Sequence, residues 1–164
     1  MKSAEERLAA LETRLQKLED QAAIYQLLAC YGIAADSGSA ERASRIWTED
    51  GVYDLHSQIM DGRADIVAEL EGAWHQGLIQ RGSAHVMGMP HVSIDGDEAV
   101  ATSQSRLYRR EDDGTYRVLS CSANRWEFWR TPDGWRCSRR ISRKLDGSAE
   151  SHAVLAQGLR EDGE

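Results

Sequence analysis

The sequence predicts an α+β domain in which helices come first and a mainly antiparallel sheet follows. The N-terminal half carries apolar side chains at helical spacing, while everything after Gly77–Gly82 alternates in long runs. Three Asp-Gly pairs, Asp95-Gly96, Asp113-Gly114 and Asp133-Gly134, punctuate those runs. Asp-Gly supplies the turn geometry of tight hairpins, so Ala84–Ile94, Glu98–Arg110, Tyr116–Arg130 and Trp135–Lys144 read as four strands of a meander. Strands this long twist and curl, and the helices that precede them must cover their apolar face.

In order, Met1–Ala35 is the main helical segment. Leu8, Leu11, Leu15, Leu18, Ala22 and Tyr25 form a heptad-like stripe, too short for a committed coiled coil, that packs on the domain or on a neighbouring subunit. The helix runs on through Ile24, Leu27, Leu28 and Tyr31 and stops near Asp36-Ser37-Gly38-Ser39. A short helix, Ala40–Trp47, follows with Ser39 as its N-cap. Thr48–Gly51 reads as a turn, Val52–Leu55 as a short strand and Asp61-Gly62 as a break. Ala64–Gln76, with Ile66, Val67, Leu70 and Trp74 in phase, reads as a third helix. Residues 1–147 are expected to form a single domain with 1–22 as an amphipathic helical extension, and 148–164 a polar, partly ordered tail.

The 164 residues carry a formal net charge of −7, which argues against nucleic acid or an anionic membrane as the partner. There is no apolar run of the roughly 18 residues that a membrane helix needs, and Met1–Asp20 is charged where a signal peptide is apolar. A cytoplasmic protein is expected. Cys30, Cys121 and Cys137 have no CxxC spacing and read as buried free thiols, and the five histidines lack a metal-binding spacing. Neither a metal nor a cofactor is expected.

The candidate site starts from the hairpin Val118–Arg143. A type I turn at Thr131-Pro132-Asp133-Gly134 followed by a Gly bulge would set Trp126 across from Arg140 and Phe128 across from Ser138, so one face would carry Ser122, Asn124, Trp126, Phe128 and Arg140. Folded inward, that face would wall a small-molecule cavity with aromatic rings and a few polar groups. The alternative is an ordinary amphipathic hairpin with Ser122 and Asn124 in water. Leu119, Ala123 and Trp129, on the other face, suggest a subunit interface.

Asp36, where the first helix ends, and His85, where the first long strand opens, form a candidate pair. A carboxylate on one imidazole nitrogen fixes the tautomer and makes the other a better base. At the helix terminus Asp36, if buried, would have a raised pKa unless a cationic partner lay close. Taken singly, Asp36 also reads as a helix-terminating residue and His85 as structural. Tyr31 is placed to donate a hydrogen bond to a ligand oxygen, with Tyr53, Tyr108 and Trp74 weaker versions of the same case. His91 reads as structural or exposed, and His56 and His75 are assigned nothing.

The order of Ile33-Ala34-Ala35-Asp36, Trp47–Tyr53, Gly62, Ala84–Gly88, Ile94–Asp97, Ser122-Ala123-Asn124 and Asp133-Gly134-Trp135 resembles the SnoaL-like branch of the nuclear transport factor 2-like superfamily. The likeness spans about Ala4 to Gly147. It implies a cone-shaped, cystatin-like α+β barrel whose strongly curved sheet encloses a pocket under the N-terminal helices. Asp36 and His85 match the catalytic pair of scytalone dehydratase and its relatives. Ser122 and Asn124 match the polar strand pair of scytalone dehydratase, Tyr31 a substrate-contacting tyrosine of bile acid 7α-dehydratase, and Arg140 a pocket arginine of hexachlorocyclohexane dehydrochlorinase. Ala35 stands where scytalone dehydratase has a tyrosine, and no histidine lies near Tyr108–Arg110, so scytalone itself is not the expected substrate.

The expectation is a cofactor-independent lyase, of dehydratase type, for a small alicyclic, polyketide or steroid-like substrate. His85 and Asp36 would move the proton, Asn124, Ser122 and Tyr31 would hold the oxygen that gains charge, and Trp126, Phe128 and Trp74 would wall the site. An isomerase or polyketide cyclase would use the same groups, and a non-catalytic binding or assembly module is the alternative class. The resemblance implies a homo-oligomer, a trimer before a dimer.

Overall fold

A computed structural model describes residues 3–159; the first two residues of the expected helix and the last five of the expected tail lie outside them. The chain opens with helix α1 (Ala4–Asp36), started by a capping box in which Ser3 and Glu6 exchange side-chain-to-backbone hydrogen bonds. Then come α2 (Ala40–Ser44), β1 (Trp47–Asp54), β2 (Ile59–Asp61), α3 (Arg63–Glu71), α4 (Ala73–Arg81), β3 (Ser83–Met87), β4 (His91–Asp95), β5 (Glu98–Arg110), β6 (Tyr116–Thr131), β7 (Gly134–Lys144) and α5 (Ala149–Ala156), with a 3₁₀ turn over Gln157–Leu159.

The strands form one sheet in the order β2-β1-β7-β6-β5-β3, with β4 also pairing β5. Every pairing is antiparallel except β1 with β7. The sheet curves but does not close, leaving a cone-like fold. Ile24, Leu28, Tyr31, Ala34 and Ala35 of α1 are buried in a core they share with Trp47, Trp126, Phe128 and Cys137.

Several elements differ from the sequence reading. The helix expected over Ala40–Trp47 ends at Ser44, without a side-chain cap from Ser39, and Trp47 already opens β1. The expected turn Thr48–Gly51 lies inside β1 as an irregularity between Trp47 and Val52. The Ala64–Gln76 helix is two helices, broken at extended Gly72. The Ala84–Ile94 strand is β3 and β4, interrupted at Gly88-Met89-Pro90, and the two halves pair successive stretches of β5. Trp126 does face Arg140, but through a bulge between Glu127 and Phe128 rather than at the turn: on the turn side of it Phe128 lies across from Cys137, not Ser138. Of the three thiols only Cys137 is buried, and burial pushes its pKa up.

The described part of the expected tail carries a helix. Ser148 caps α5 by accepting from the Ser151 N–H, and Ser151 and Val154 are buried. Gly158 lies so close to Thr102 that a Cβ there would collide with it. Arg143 ties α5 down by pairing with Glu150 while also holding Asp54 of β1 at 2.8 and 2.9 Å. Because Arg143 stands across from Ala123, α5 lies on the sheet's outer face, where Ala123 is fully buried. That part of the surface assigned to a second subunit is covered by the chain's own helix, while Trp129 stays exposed.

Asp20 anchors α1 to the β6–β7 hairpin. Its carboxylate accepts two hydrogen bonds from Arg130, both 2.7 Å, and one from Trp135 Nε1 at 3.0 Å. The Arg130 hydrogen bonds hold its pKa at about 2 despite partial burial. A carboxyl depressed in the folded state adds stability that is present above its unfolded value of about 3.9 and lost as pH falls through the folded value. Asp20→Asn should therefore lower unfolding free energy at neutral pH by about 1.5–3 kcal/mol and flatten the loss of stability between about pH 4 and 2, as read by urea titration across that range.

Candidate active site

The site is built where α1 meets β3. Gly32 presses against the backbone of His85, and a Cβ on Gly32 would collide with the His85 carbonyl oxygen. This approach lets Asp36, the last residue of α1, reach β3. Its carboxylate accepts from Ser83 Oγ at 2.8 Å, from the His85 N–H at 2.6 Å and from His85 Nδ1 at 2.7 Å. Burial opposes the charge on Asp36, but the bonds from the His85 ring and backbone, the imidazole charge and Ser83 outweigh it, and the carboxyl titrates below its ordinary value. An ionised carboxylate only accepts, so Nδ1 carries a proton, and the neutral form of the ring has its lone pair on Nε2.

His85 lines a cavity of about 190 Å³. Tyr31, Tyr53, Leu55 and Met60 wall it on one side, and Ile66, Glu69, Leu70, Trp74 and His75 of the α3–α4 pair cover it. Met87, Ser105, Leu107, Ser120, Ser122, Arg140 and Ser142 come from the sheet. Burial holds the Tyr53 phenol un-ionised, well above its usual pKa.

Arg140 is 3% exposed and lies at 4.1, 4.3 and 4.8 Å from the ring centres of Trp126, Tyr53 and Tyr31. Asn124 Oδ1 accepts from its Nη2 at 2.8 Å and its Nε at 3.2 Å, while Nη1 has no hydrogen-bond partner. Arg140 thus brings a fixed positive charge to the cavity wall. Among the described residues no group of three His, Cys, Asp or Glu is placed to hold a metal ion.

Of the residues singled out from sequence, Tyr31, Tyr53, Trp74, His85, Ser122 and Arg140 line the cavity, and Asp36 stands behind His85. Four do not line it. Asn124 is fully buried with its amide engaged by Arg140, Ser105 and the Ser122 carbonyl, so it holds Arg140 rather than a substrate oxygen. Trp126 and Phe128 stack on each other in the core beneath the cavity floor. Tyr108, across a register shift from Leu107 on β5, is not among the residues that line the cavity.

His75 was assigned nothing and lies 4% exposed in the cavity lining, its ring 5.5 Å from that of His85. The break at Gly72 leaves carbonyls at the end of α3 without helical partners. Leu70 O takes up His75 Nδ1 at 2.9 Å and Gln76 Nε2 at 2.8 Å. The carbonyl fixes the proton on Nδ1, and Nε2, buried and unpartnered, keeps its lone pair. Burial and then the His85 charge push the His75 pKa down. The one available signal was Gly72 within Glu71–His75, inside a stretch that the sequence reads as one unbroken helix.

A SnoaL-like domain matches residues 16–141, most of the chain. The chain belongs to the SnoaL-like domain family. An NTF2-like protein with a cystatin-like fold from Novosphingobium aromaticivorans has 44% sequence identity to it, with 90% of this chain and 96% of that one covered and a TM-score of 0.88. Aln2 from a Streptomyces species shares the fold at 15% identity and a TM-score of 0.67, with 75% of this chain and 88% of that one covered. An uncharacterized protein of Mycobacterium tuberculosis is 29% identical over 137 residues, 78% of this chain and 87% of that protein. No helix among the described residues is long and apolar enough to cross a membrane.

Two measurements check this geometry. Nitrogen-15 NMR should find the His85 ring protonated at Nδ1, and Asp36→Ala should release it into a tautomer mixture. Gly32→Ala should produce the same release, with a stability loss of about 1–3 kcal/mol from overpacking. For His75 the folded pKa lies below the unfolded one, so folding stability should fall as pH drops below about 6.5. His75→Asn, which keeps a donor for Leu70 O without a titrating ring, should remove that slope in urea unfolding.

Proposed function

We propose that this SnoaL-like protein is a cofactor-independent proton-transfer enzyme of dehydratase type, and that Asp36 and His85 are its general acid/base pair. The observation that carries this reading is the 2.7 Å Asp36–His85 contact on the wall of a cavity that Arg140 also lines. His85 Nε2 would take a proton from the carbon beside a substrate carbonyl. Asp36 would stabilise the imidazolium, and the Arg140 charge with the Tyr31 and Ser122 hydroxyls would stabilise the enolate oxygen. The enolate would re-form its carbonyl, its electrons moving to make the carbon–carbon double bond as the β carbon–oxygen bond breaks. The imidazolium would return its proton to the departing hydroxyl, which leaves as water, and His85 ends neutral. Asn124 is a positioning residue for Arg140.

Cavity size narrows the substrate. An engineered apolar cavity of about 150 Å³ holds one benzene ring, so about 190 Å³ suits a one- or two-ring β-hydroxy ketone better than a steroid. An isomerisation or an aldol cyclisation needs the same base and oxygen contacts without a leaving group.

The test is to incubate the protein with a panel of cyclic β-hydroxy ketones, following enone absorbance and deuterium uptake at the α-carbon. Water loss should depend on His85, with His85→Ala lowering kcat by about 10²–10⁴ and Arg140→Met by about 10²–10³. Exchange without water loss would point to the isomerase or cyclase chemistry. Tight binding of the ketones with neither exchange nor elimination would favour the binding module and overturn the enzyme.

A further inference from the structure

Helix α1 carries two apolar faces, and the domain uses only one. From Asp20 onward Ile24, Leu28, Tyr31 and Ala35 are buried against the sheet. Leu8, Leu11, Leu15 and Leu18 are 56–62% exposed, although α1 is one continuous helix from Ala4 to Asp36. About two and a half turns separate Leu15 from Ile24, so the leucine stripe points away from the docked face and cannot fold back onto this domain without breaking the helix. Leu8, Leu11 and Leu15 also precede the span that matches the SnoaL-like domain, which begins at residue 16.

Charge decides what covers the stripe. With Leu8 and Leu15 at heptad position a and Leu11 and Leu18 at d, the flanking e positions are Glu5, Glu12 and Glu19, and g holds Arg7 and Arg14. In a parallel, in-register pair each g residue faces the next e residue of the other helix, so Arg7 meets Glu12 and Arg14 meets Glu19, once in each direction. An antiparallel pair would set e against e and g against g, glutamate on glutamate and arginine on arginine. We infer that the partner is a second copy of this chain, associating parallel and in register through residues 4–19 of α1. A free peptide of this length would be a marginal helix, but here the docked half of α1 already supplies the nucleus that helix formation needs.

The test needs no substrate: the full chain, 18.3 kDa as a monomer, is measured by analytical ultracentrifugation over a concentration series. The unmodified chain should associate reversibly. Glu12→Arg with Glu19→Arg, and separately Arg7→Glu with Arg14→Glu, should each raise the dissociation constant by at least about tenfold, with helical content and unfolding midpoint of the domain unchanged. Mixing the two variants should restore association, because every g–e contact between them is again of opposite charge. A monomeric unmodified chain, variants that associate as it does, or a mixture that stays dissociated would each overturn the proposal, the last by excluding the parallel register.

Discussion

Everything at the site depends on how closely α1 can approach β3. The His85 carbonyl occupies the place a side chain at residue 32 would take, and glycine there lets the helix end come down on the strand. The Asp36 carboxylate then collects three donors from Ser83 and His85, two of them from one residue. Holding both the backbone and the ring of His85 constrains where the imidazole sits, so the contact that docks the helix also orients the ring. A charge at a helix C-terminus is ordinarily disfavoured when negative. Here three hydrogen bonds and a facing imidazole outweigh both that and burial, as the lowered pKa of Asp36 reports.

Three arginines that reach into the protein solve their charge in different ways. Arg130 and Arg143 meet carboxylates, Asp20 and Asp54, at 2.7–2.9 Å, and serve to fasten α1 and α5 to the sheet. Arg140 meets an amide oxygen and three ring faces instead. Ring faces and an amide stabilise a guanidinium without cancelling its charge as a carboxylate would. The positive charge is therefore retained at the cavity wall. The same arrangement explains why Asn124 is fully buried: freed to face the cavity, it would leave the guanidinium short of its strongest acceptor.

Much of this was legible in the sequence where a local rule governs it. The Asp-Gly turns marked where the long strands reverse, but a bulge in each of the two longer hairpins resets the register, and the one between Glu127 and Phe128 is what brings Trp126 opposite Arg140. The pairing of Asp36 with His85 could be read from a helix end and a strand start. What escaped depends on contacts distant in sequence or on breaks within elements. His75 owes its orientation to a Leu70 carbonyl left without a helical partner because the helix stops at Gly72. Asn124 looked like a substrate ligand because its face was right, but Arg140 and Ser105 had already taken its amide. The C-terminal helix is short, and its fixing contacts, Arg143–Glu150 and Gly158 on Thr102, cross from other parts of the chain.

The two imidazoles show how such tertiary contacts divide chemical roles between like side chains. Their rings lie 5.5 Å apart, so a second positive charge beside a first is disfavoured. A proton arriving at His85 Nε2 creates an imidazolium resting on an ionised carboxylate. A proton arriving at His75 Nε2 would create one resting on a neutral carbonyl, in deeper burial and facing His85, and burial leads the effects that lower its pKa. The acceptors behind the two rings therefore differ, and burial with the His85 charge makes His75 the ring that stays neutral and keeps a lone pair on Nε2. This division follows from the acceptor behind each Nδ1, a carboxylate for one and a carbonyl for the other, and from the helix end and helix break that put those acceptors in place.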